Sequence, residues 1–484
     1  MAQAATAAPK GALEMMIQYF KDFGVLKDNP REYWAIQIIN FLDSTAYFAF
    51  LGIGIVFFTT NVGMGDISAG YVVTAMTVSV TLSLLVSGAI TDSLGIKKSL
   101  LLAIGIQTLS RAGVTVFGLW EGAPFRTILV AAFFILSAPG LAMTITVFQS
   151  ANRRFSTKRS RSASFSLWYL IMNMGGVVAG YVVIDGVRLT WDLNNSWIFG
   201  IGAVCGILSL VTATLLLRRE EFTQDAREQD AAGALAQKEE EAKEPEKKLG
   251  ALEILKTVIK QDAFWRLMVL MAAVLGVRAV FTYMYLLMPK YWIRVIGEDV
   301  AMGALQAVNP ICIVVGIVLT IPIVGRFNVF KMLVFGAVIS SFSLVVLMLP
   351  YGWFGGDMAT GYFRMSILML IVLSVGEILW SPKLSEYCAA IAPKGMEGSY
   401  LGMSMLPWFL AKTTVGLMSG HMLLQWCPEG IGERIASGEL SFWQTPEAMW
   451  FVLFIWAIAG PAAAWGWRGW LTRGADLDPA KKAV

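Results

Sequence analysis

The chain has 484 residues, of which 56% are hydrophobic and only 15% are charged, and its formal net charge is +4. Because a soluble protein carries roughly a quarter charged residues, this composition excludes an ordinary soluble domain and indicates a protein that crosses a membrane many times. His421 is the single histidine, and the four cysteines have no motif spacing. The sequence therefore offers no histidine-based metal site or catalytic triad, and we expect no enzyme.

About twelve apolar runs are long enough to cross a bilayer as helices, since a span needs roughly 20 apolar residues. In chain order they lie near 33–58, 69–91, 99–119, 127–150, 164–184, 196–217, 263–289, 301–324, 332–351, 362–391, 399–424 and 448–470. The N-terminal stretch lacks the apolar core and cleavage site of a signal peptide, so we predict that the first run is an uncleaved transmembrane helix. The predicted fold class is all-α, with the lipid bilayer as its surroundings.

Basic residues are concentrated in the loops on one predicted side of the membrane. The loop after the fourth run carries Arg153, Arg154, Lys158, Arg159 and Arg161 and no acid, whereas the loop after the first run has no Lys or Arg. The positive-inside rule therefore predicts that both termini are cytoplasmic, and we expect a multi-pass protein of the plasma (inner) membrane. Orientation explains the basic cluster, so no nucleic-acid partner is expected.

One long polar insertion, rich in Lys, Glu and Ala, divides the runs six and six. Its mixed charge predicts a partly helical cytoplasmic linker. A weak echo between Asp92–Lys98 and Gly325–Lys331 indicates that the two halves are related, which is the plan of transporters with a midplane site. The predicted domains are a cytoplasmic N-terminal segment at 1–32, bundles at 33–217 and 263–470, the linker at 218–262 and a cytoplasmic tail at 471–484.

Among the ionisable side chains within these apolar runs, five are candidates for a function: Asp43, Arg111, Arg278, Glu377 and Lys412. A charge at bilayer depth costs several kcal/mol or more, so such a side chain usually faces a wet cavity and has a function there. The five charges indicate a protein that handles a polar solute within the membrane.

The first run places Asn40, Asp43 and Tyr47 on one helix face, because their intervals are three and four residues. Asp43 lies about ten residues into the run, which is near mid-membrane at 1.5 Å per residue. A carboxylate buried there is suited to take up and release a proton, and we predict that Asp43 couples transport to protons. The alternative is a structural carboxylate bonded to neighbouring helices.

The tenth and eleventh runs each carry one charge on a polar stripe. Glu377 shares its stripe with Ser381, and Lys412 shares its face with Trp408. We expect Glu377 to meet a cation, either a substrate amine or a neighbouring basic residue. Glu377 and Lys412 on adjacent helices are also candidates for a buried pair, and a static bridge remains an alternative.

Arg278 in the seventh run shares a face with Tyr285, and its planar guanidinium suits carboxylate recognition. Arg111 in the third run is instead expected to reach the membrane surface with its long side chain. We predict that Asp43 and Glu377 couple transport to protons. The residues predicted to bind the substrate in a cavity are Asn40, Tyr47, Tyr169, Asn173, Arg278, Tyr285, Asn309, Glu377, Ser381, Trp408 and Lys412.

Three segments resemble motifs of known transporters. The turn Gly88-Ala-Ile-Thr-Asp92-Ser-Leu-Gly95-Ile-Lys97-Lys98 resembles the loop-two motif of the major facilitator superfamily, with Ser93 in place of the usual arginine. The stretches Phe165–Gly176 and Gly376–Pro382 are similar to the fifth-helix and tenth-helix signatures of proton-dependent oligopeptide transporters. The resemblance covers both halves. It implies twelve transmembrane helices in two pseudo-symmetric bundles of six, with a gating or structural role for Gly88, Asp92, Gly95, Lys97 and Lys98.

The chain also departs from the oligopeptide-transporter pattern. The family's ExxER motif in the first helix corresponds to Asn40-Phe-Leu-Asp43-Ser44, so one carboxylate is retained and the arginine is lost, and Met143 stands where the fourth helix usually has lysine. Glu377 matches the family glutamate that receives a peptide's amino terminus. Arg278 and Lys412 have no counterpart, so the resemblance implies a divergent relative in which they hold the carboxylate.

These observations predict a monomeric secondary transporter that works by alternating access, without a cofactor and driven by the proton gradient. The expected cargo is a peptide-like or other zwitterionic or anionic small solute, carried together with protons. No GxxxxGK[ST] sequence is present, so ATP is not the driver unless a partner chain supplies it. Two alternatives stay open: an exporter of drugs or metabolites that works by proton antiport, and a receptor or scaffold that transports nothing.

Overall fold

The computed structural model describes residues 23–157, 159–217, 261–324, 327–391, 406–473 and 477. Within these ranges every regular element is a helix. The N-terminal stretch up to residue 22 and residues 218–260 of the predicted linker lie outside the described residues, so the predictions for them remain predictions.

The first half contains six membrane-crossing helices. Two of them belong to one helical stretch, Asp66–Leu119, in which Gly95 alone has non-helical dihedrals. The six helices are α1 (Arg31–Thr60), α2 (Asp66–Leu84), α3 (Ser93–Leu119), α4 (Arg126–Arg154), α5 (Arg161–Val178) and α6 (Ser196–Leu216). Helices satisfy their own backbone groups, which is why apolar runs of this length adopt them in lipid.

The second half repeats this arrangement after the polar insertion. A short helix, Met288–Val295, follows the first of its spans, and further short helices, Ile431–Ser437 and Arg468–Leu471, flank the last one. The six long helices are α7 (Asp262–Leu286), α8 (Met302–Val324), α9 (Val329–Val346), α10 (Met358–Ile391), α11 (Leu406–Trp426) and α12 (Pro446–Gly466). The predicted fold class, twelve transmembrane helices in two bundles of six, is confirmed.

Gly95 adopts φ 77°, a conformation that favours glycine, in the turn that the sequence predicts between the second and third runs. The helix boundaries differ from the predicted runs in two places. The ninth helix ends at Val346 rather than at 351, and turns lead from there to Pro350. The fifth helix continues beyond Val178 in wide turns, Ala179–Ile184 and Gly186–Thr190, which apolar periodicity does not reveal.

The two halves pack against each other along three helix pairs: α1 with α7, α2 with α11, and α5 with α8. Close approach in two of the pairs depends on glycine. A Cβ at Gly180, in the wide turns that continue α5, would contact the carbonyl oxygen of Gly303 of α8. A Cβ at Gly70 of α2 would lie 2.7 Å from the carbonyl oxygen of Gly416 of α11. Small residues at such crossings let helices pack backbone to backbone in a membrane.

We name the two ends of the bundle after residues that lie there. The Asp66 end holds the α1–α2 connection at Asn61–Gly65, and the Gly95 end holds the α2–α3 reversal. A central cavity lies between these ends, where the two halves meet.

Candidate functional site

A cavity of about 370 Å³ lies between the halves, and helices of both halves line it. Its volume is in the range of pockets that hold drug-sized ligands, roughly 300–1,000 Å³. Many of the residues proposed from the sequence meet at this one cavity. They are Tyr47, Tyr169, Asn173, Arg278, Tyr285, Asn309, Glu377, Ser381 and Lys412.

Glu377 projects into the cavity from α10 and is held there by two groups of the same half. The amide of Asn309 on α8 donates to its carboxylate at 2.9 Å and to Ser374 at 3.0 Å. The guanidinium of Arg278 on α7 interacts electrostatically with Glu377 and stacks over the Trp380 ring, 4.5 Å from its centroid. A cation over an aromatic face is attracted by the ring quadrupole, so the Trp380 ring holds the Arg278 guanidinium in place.

Lys412 reaches the cavity from α11, and its ammonium donates to the hydroxyl of Tyr47 on α1 at 3.4 Å. This contact joins the second half to the first at the level of the cavity. The pairing of Lys412 with Glu377 stays a prediction. In the structure Glu377 accepts a hydrogen bond from Asn309, and Lys412 donates one to Tyr47.

The first-half wall of the cavity is aromatic and uncharged. α1 provides Tyr47 and Phe48, and α5 provides Trp168 and Tyr169. The Phe48 ring lies 6.1 Å from that of Tyr285 on α7, so the aromatic surface continues into the second half. The amide of Asn173 donates to the Tyr169 carbonyl at 2.8 Å and keeps its side chain against this wall.

Asn40 and Asp43 lie behind this wall rather than in it. The Asn40 amide donates to the carbonyl of Trp168 at 3.0 Å, and Ser44 donates to Asn40 at 3.3 Å. Asp43 points between the helices of the first half, where it meets Arg111 at 3.5 Å. The structure therefore separates the two proposed proton-coupling carboxylates: Glu377 lines the cavity, and Asp43 lies inside the first bundle.

The expectation that Arg111 reaches the membrane surface is wrong. Only 2% of Arg111 is exposed, and it turns inward to its ion pair with Asp43. Arg111 donates to Gln107 at 2.6 Å, and Gln107 donates to Thr144 on α4 at 2.6 Å. A buried guanidinium needs an opposite charge and hydrogen-bond acceptors nearby. Asp43 provides the charge, and Gln107 accepts a hydrogen bond from Arg111.

The motif residues lie at the Gly95 end, away from the cavity. Gly95 forms the reversal, and Lys97 donates to the carbonyl of Thr214 at 3.3 Å, which ties the start of α3 to the end of α6. Gly88 has open space around its Cβ position, and Lys98 is exposed. The side chains of Asp92 and Trp408 lie outside the described part of the structure, so their roles remain predictions.

An ion-pair cluster that the sequence did not suggest joins the halves at the Asp66 end. Asp66, the first residue of α2, meets Arg294 at 2.6 Å and Lys290 at 3.9 Å, both from the short helix after α7. Arg294 also donates to the carbonyl of Cys427 at 2.8 Å. Burial lowers the pKa of Lys290 from its ordinary value. Asp66, Lys290 and Arg294 lie next to the ends of apolar runs, where charged loop residues are common. Their positions in the sequence therefore did not predict that they would pair.

A second contact at this end joins α5 to α8. The Asp185 carboxylate accepts from the backbone N–H groups of Gly303 at 2.7 Å and Ala304 at 2.6 Å, at the N-terminus of α8. An anion is stabilised at a helix N-terminus because unpaired N–H groups and the helix dipole point toward it. Arg188 donates to the carbonyls of Glu298 and Val300 at 2.7 and 3.0 Å. Together with the Asp66 cluster, these contacts close the Asp66 end of the cavity.

Two bundles of six membrane-crossing helices with a shared cavity between them have the architecture of a membrane transporter. The chain belongs to the Major Facilitator Superfamily, whose family profile matches residues 33–413. No curated protein sequence matches the chain.

Among solved structures, the fold is similar to peptide transporters of the POT family. A peptide transporter POT in complex with sulfate shares 15% identity at a TM-score of 0.67, covering 92% of this chain and 95% of that one. The POT family transporter PepTSo shares 17% at 0.66, with 92% and 99% covered. A POT family transporter in complex with 5-aminolevulinic acid shares 13% at 0.66, with 92% and 97% covered. At these identities the similarity concerns the fold.

Proposed function

We propose that the protein is a proton-coupled secondary transporter that carries a peptide-like or other zwitterionic or anionic small solute by alternating access. The observation that carries this proposal is the meeting of Arg278, Glu377 and Lys412 at one cavity between the two halves. Charged groups inside a membrane protein are expensive unless they serve a solute or ion pathway. We further propose that it acts as a monomer and needs no cofactor.

The arrangement of contacts supports an alternating-access cycle. The hydrogen bonds and ion pairs of Asp66, Asp185 and Arg188 join the halves at the Asp66 end. If the positive-inside rule orients the chain as predicted, this is the outer end. Import then requires these contacts to separate so that solute reaches the cavity from outside, and to re-form before release.

The second half supplies a means of coupling. A solute carboxylate that approaches Arg278 competes with Glu377 for the guanidinium. Without the nearby positive charge, the buried Glu377 carboxylate is stabilised by taking up a proton. Asp43 is the second candidate, because Arg111 would hold its charged form and protonation would weaken their pair. In both cases protonation of a buried carboxylate removes its attraction to a neighbouring arginine. Protonation would thereby change the contacts that favour one conformation.

The structural neighbours support the proposed solute class. Relatives in fold include peptide transporters and one POT family transporter solved in complex with 5-aminolevulinic acid, which is a small zwitterion. The aromatic first-half wall supports a second candidate, an exporter of apolar metabolites by proton antiport. A purely apolar cargo has no need of Lys412, so an exporter should keep its activity in Lys412→Met.

The test is proton influx into proteoliposomes that contain a pH-reporting dye, under an inside-negative potential. Pooled di- and tripeptides and pooled small organic acids are added separately to wild type, Asp43→Asn and Glu377→Gln. Solute-dependent acidification that either substitution abolishes supports coupled uptake. Folded wild-type protein that gives no acidification with any pool would contradict it, and unfolding of both variants would instead indicate structural carboxylates in a scaffold.

A further inference from the structure

A fully buried tryptophan lies directly behind the cavity wall of the second half. Trp380 is on α10, three residues after Glu377, and 0% of it is exposed. The Arg278 guanidinium, which lines the cavity from α7, lies over the Trp380 ring at 4.5 Å from the ring centroid. The ring of Phe281, three residues further along α7, lies 6.0 Å from that of Trp380. Trp380 is not among the described residues that line the cavity, so it acts on a solute through the residues that it touches.

The Trp380 ring is held by α9, a helix that contributes no residue to the described lining of the cavity. The indole Nε1–H donates to the hydroxyl of Ser340 at 3.2 Å, and this hydroxyl donates to the carbonyl of Leu373 at 3.3 Å. Ser340 is also fully buried. A buried indole N–H that lacks an acceptor is costly, so this hydrogen bond fixes the orientation of the ring.

Two glycines bring α9 close enough to α10 for this hydrogen bond. A Cβ at Gly376 would overlap the hydroxyl oxygen of Ser340. A Cβ at Gly336 would lie 2.8 Å from the backbone nitrogen of Trp380. Small residues at a helix crossing let the backbones approach closely. The spacing of the two helices therefore depends on these glycines, and the contact between Ser340 and Trp380 depends on that spacing.

We propose that Trp380 is a positioning residue of the solute site. Oriented by Ser340, its ring holds the Arg278 guanidinium at the cavity, where the guanidinium binds a carboxylate of the solute. The proposal rests on the proposed transport function and adds the residues that keep one binding group in place. Attraction of a cation to a ring face is strongest for tryptophan and increases where water is excluded. Without the ring, binding must first order the long Arg278 side chain, and that ordering costs free energy.

Two pairs of peptide-like probes isolate the contribution of the carboxylate. Alanylphenylalanine and N-acetylphenylalanine are each compared with their C-terminal amides. Binding to the intact purified protein is measured by isothermal titration calorimetry at pH 7, and the readout is the ratio of the two affinities within a pair. General damage to the cavity weakens both members of a pair, so the ratio reports on the carboxylate site. We expect wild type to bind the carboxylate about tenfold more tightly than the amide, and Trp380→Leu to reduce this ratio to about twofold, because hydrogen bonds to charged groups are the stronger kind.

Two milder variants test the role of Ser340. Trp380→Phe keeps an aromatic face but has no N–H, and Ser340→Ala removes the acceptor of the same hydrogen bond. We expect each to lower the ratio less than Trp380→Leu does, and the double variant to lower it no further than either single one. Ser341→Ala is the matched control and should keep the wild-type ratio, because this buried serine donates to the carbonyl of Ala337 in its own helix at 2.9 Å.

A ratio that stays at the wild-type value in folded Trp380→Leu would overturn the positioning role and leave the proposed transport function standing. If Trp380→Leu does not fold, an unchanged ratio in Trp380→Phe and Ser340→Ala overturns the role in the same way. Equal binding of carboxylate and amide by wild type, or binding of neither, would also overturn it, because Arg278 would then hold no solute carboxylate. Proton influx into proteoliposomes decides separately whether the protein transports.

Discussion

The buried pair of Asp43 and Arg111 provides the sharpest test of the first bundle. The two side chains lie 3.5 Å apart and are 10% and 2% exposed. Removing one partner of a buried pair leaves an uncompensated charge and destabilises by about 3–5 kcal/mol, whereas replacing both partners by neutral groups is often nearly neutral. We therefore expect Asp43→Asn and Arg111→Met each to lower the free energy of unfolding by about 3–5 kcal/mol, and the double variant to lower it by much less than their sum.

The assay is unfolding by sodium dodecyl sulfate in mixed micelles, followed by tryptophan fluorescence, with exposed Asp28→Asn as the control. Surface substitutions usually change stability by no more than about 0.5 kcal/mol. The effect of Arg111→Met should also shrink as the pH falls, because the isolated Asp43 carboxylate becomes neutral when it takes up a proton. Single variants as stable as the control, or a double variant whose loss equals the sum, would refute the pairing.

Three further predictions concern the closed Asp66 end. Asp66→Asn removes the charge that meets Arg294 at 2.6 Å, and we expect it to increase the population of molecules that are open at this end. The measurement is the labelling rate of a cysteine introduced in the cavity wall, with a reagent added from the side of the Asp66 end, and this rate should rise. Gly303→Ala places a methyl group against the carbonyl of Gly180, so the same labelling should rise and the distance between spin labels on α5 and α8 should increase. Asp185→Asn keeps one acceptor for two N–H groups, and we expect a smaller increase in labelling than with Asp66→Asn.

A matched glycine serves as the control for these measurements. A Cβ at Gly105 in α3 meets no atom within 4 Å, so Gly105→Ala should label at the wild-type rate. Labelling that responds equally to Gly105→Ala and Gly303→Ala would mean that helix propensity, rather than the α5–α8 contact, controls the opening. Unchanged labelling in all three variants would show that these contacts do not hold the end closed.

Much of the fold follows from the sequence because the membrane leaves few options. A run of about 20 apolar residues must be a helix, and basic loops indicate its orientation. The turn at Gly95 was also predicted, because the segment Gly88–Lys98 resembles a loop motif that joins two helices. The wide turns beyond Val178 had no signal, because apolar periodicity does not distinguish them from an ordinary helix.

The candidate site was predictable in its members but not in its pairings. Helical periodicity places Glu377 and Lys412 on defined faces of their own helices, and both line the cavity. Periodicity does not identify the partner helix, which is why Arg111 was assigned to the surface although it meets Asp43 across α1 and α3. The contacts of Asp185 were invisible for another reason: their partners are backbone N–H groups, which every sequence possesses.

The alternating-access claim is tested most directly by locking the Asp66 end. Asp66→Cys and Arg294→Cys are combined in a background that lacks Cys312 and Cys427. Cys427 is removed because it lies beside Arg294, and Cys312 because it is only half-buried. A short cleavable thiol cross-linker is applied to proteoliposomes, and uptake of a solute that drives proton influx in the wild type is measured before and after reduction. The account predicts that uptake stops while the two cysteines are linked and returns when the link is cleaved. Uptake that continues at the unlinked rate in fully linked protein would contradict it.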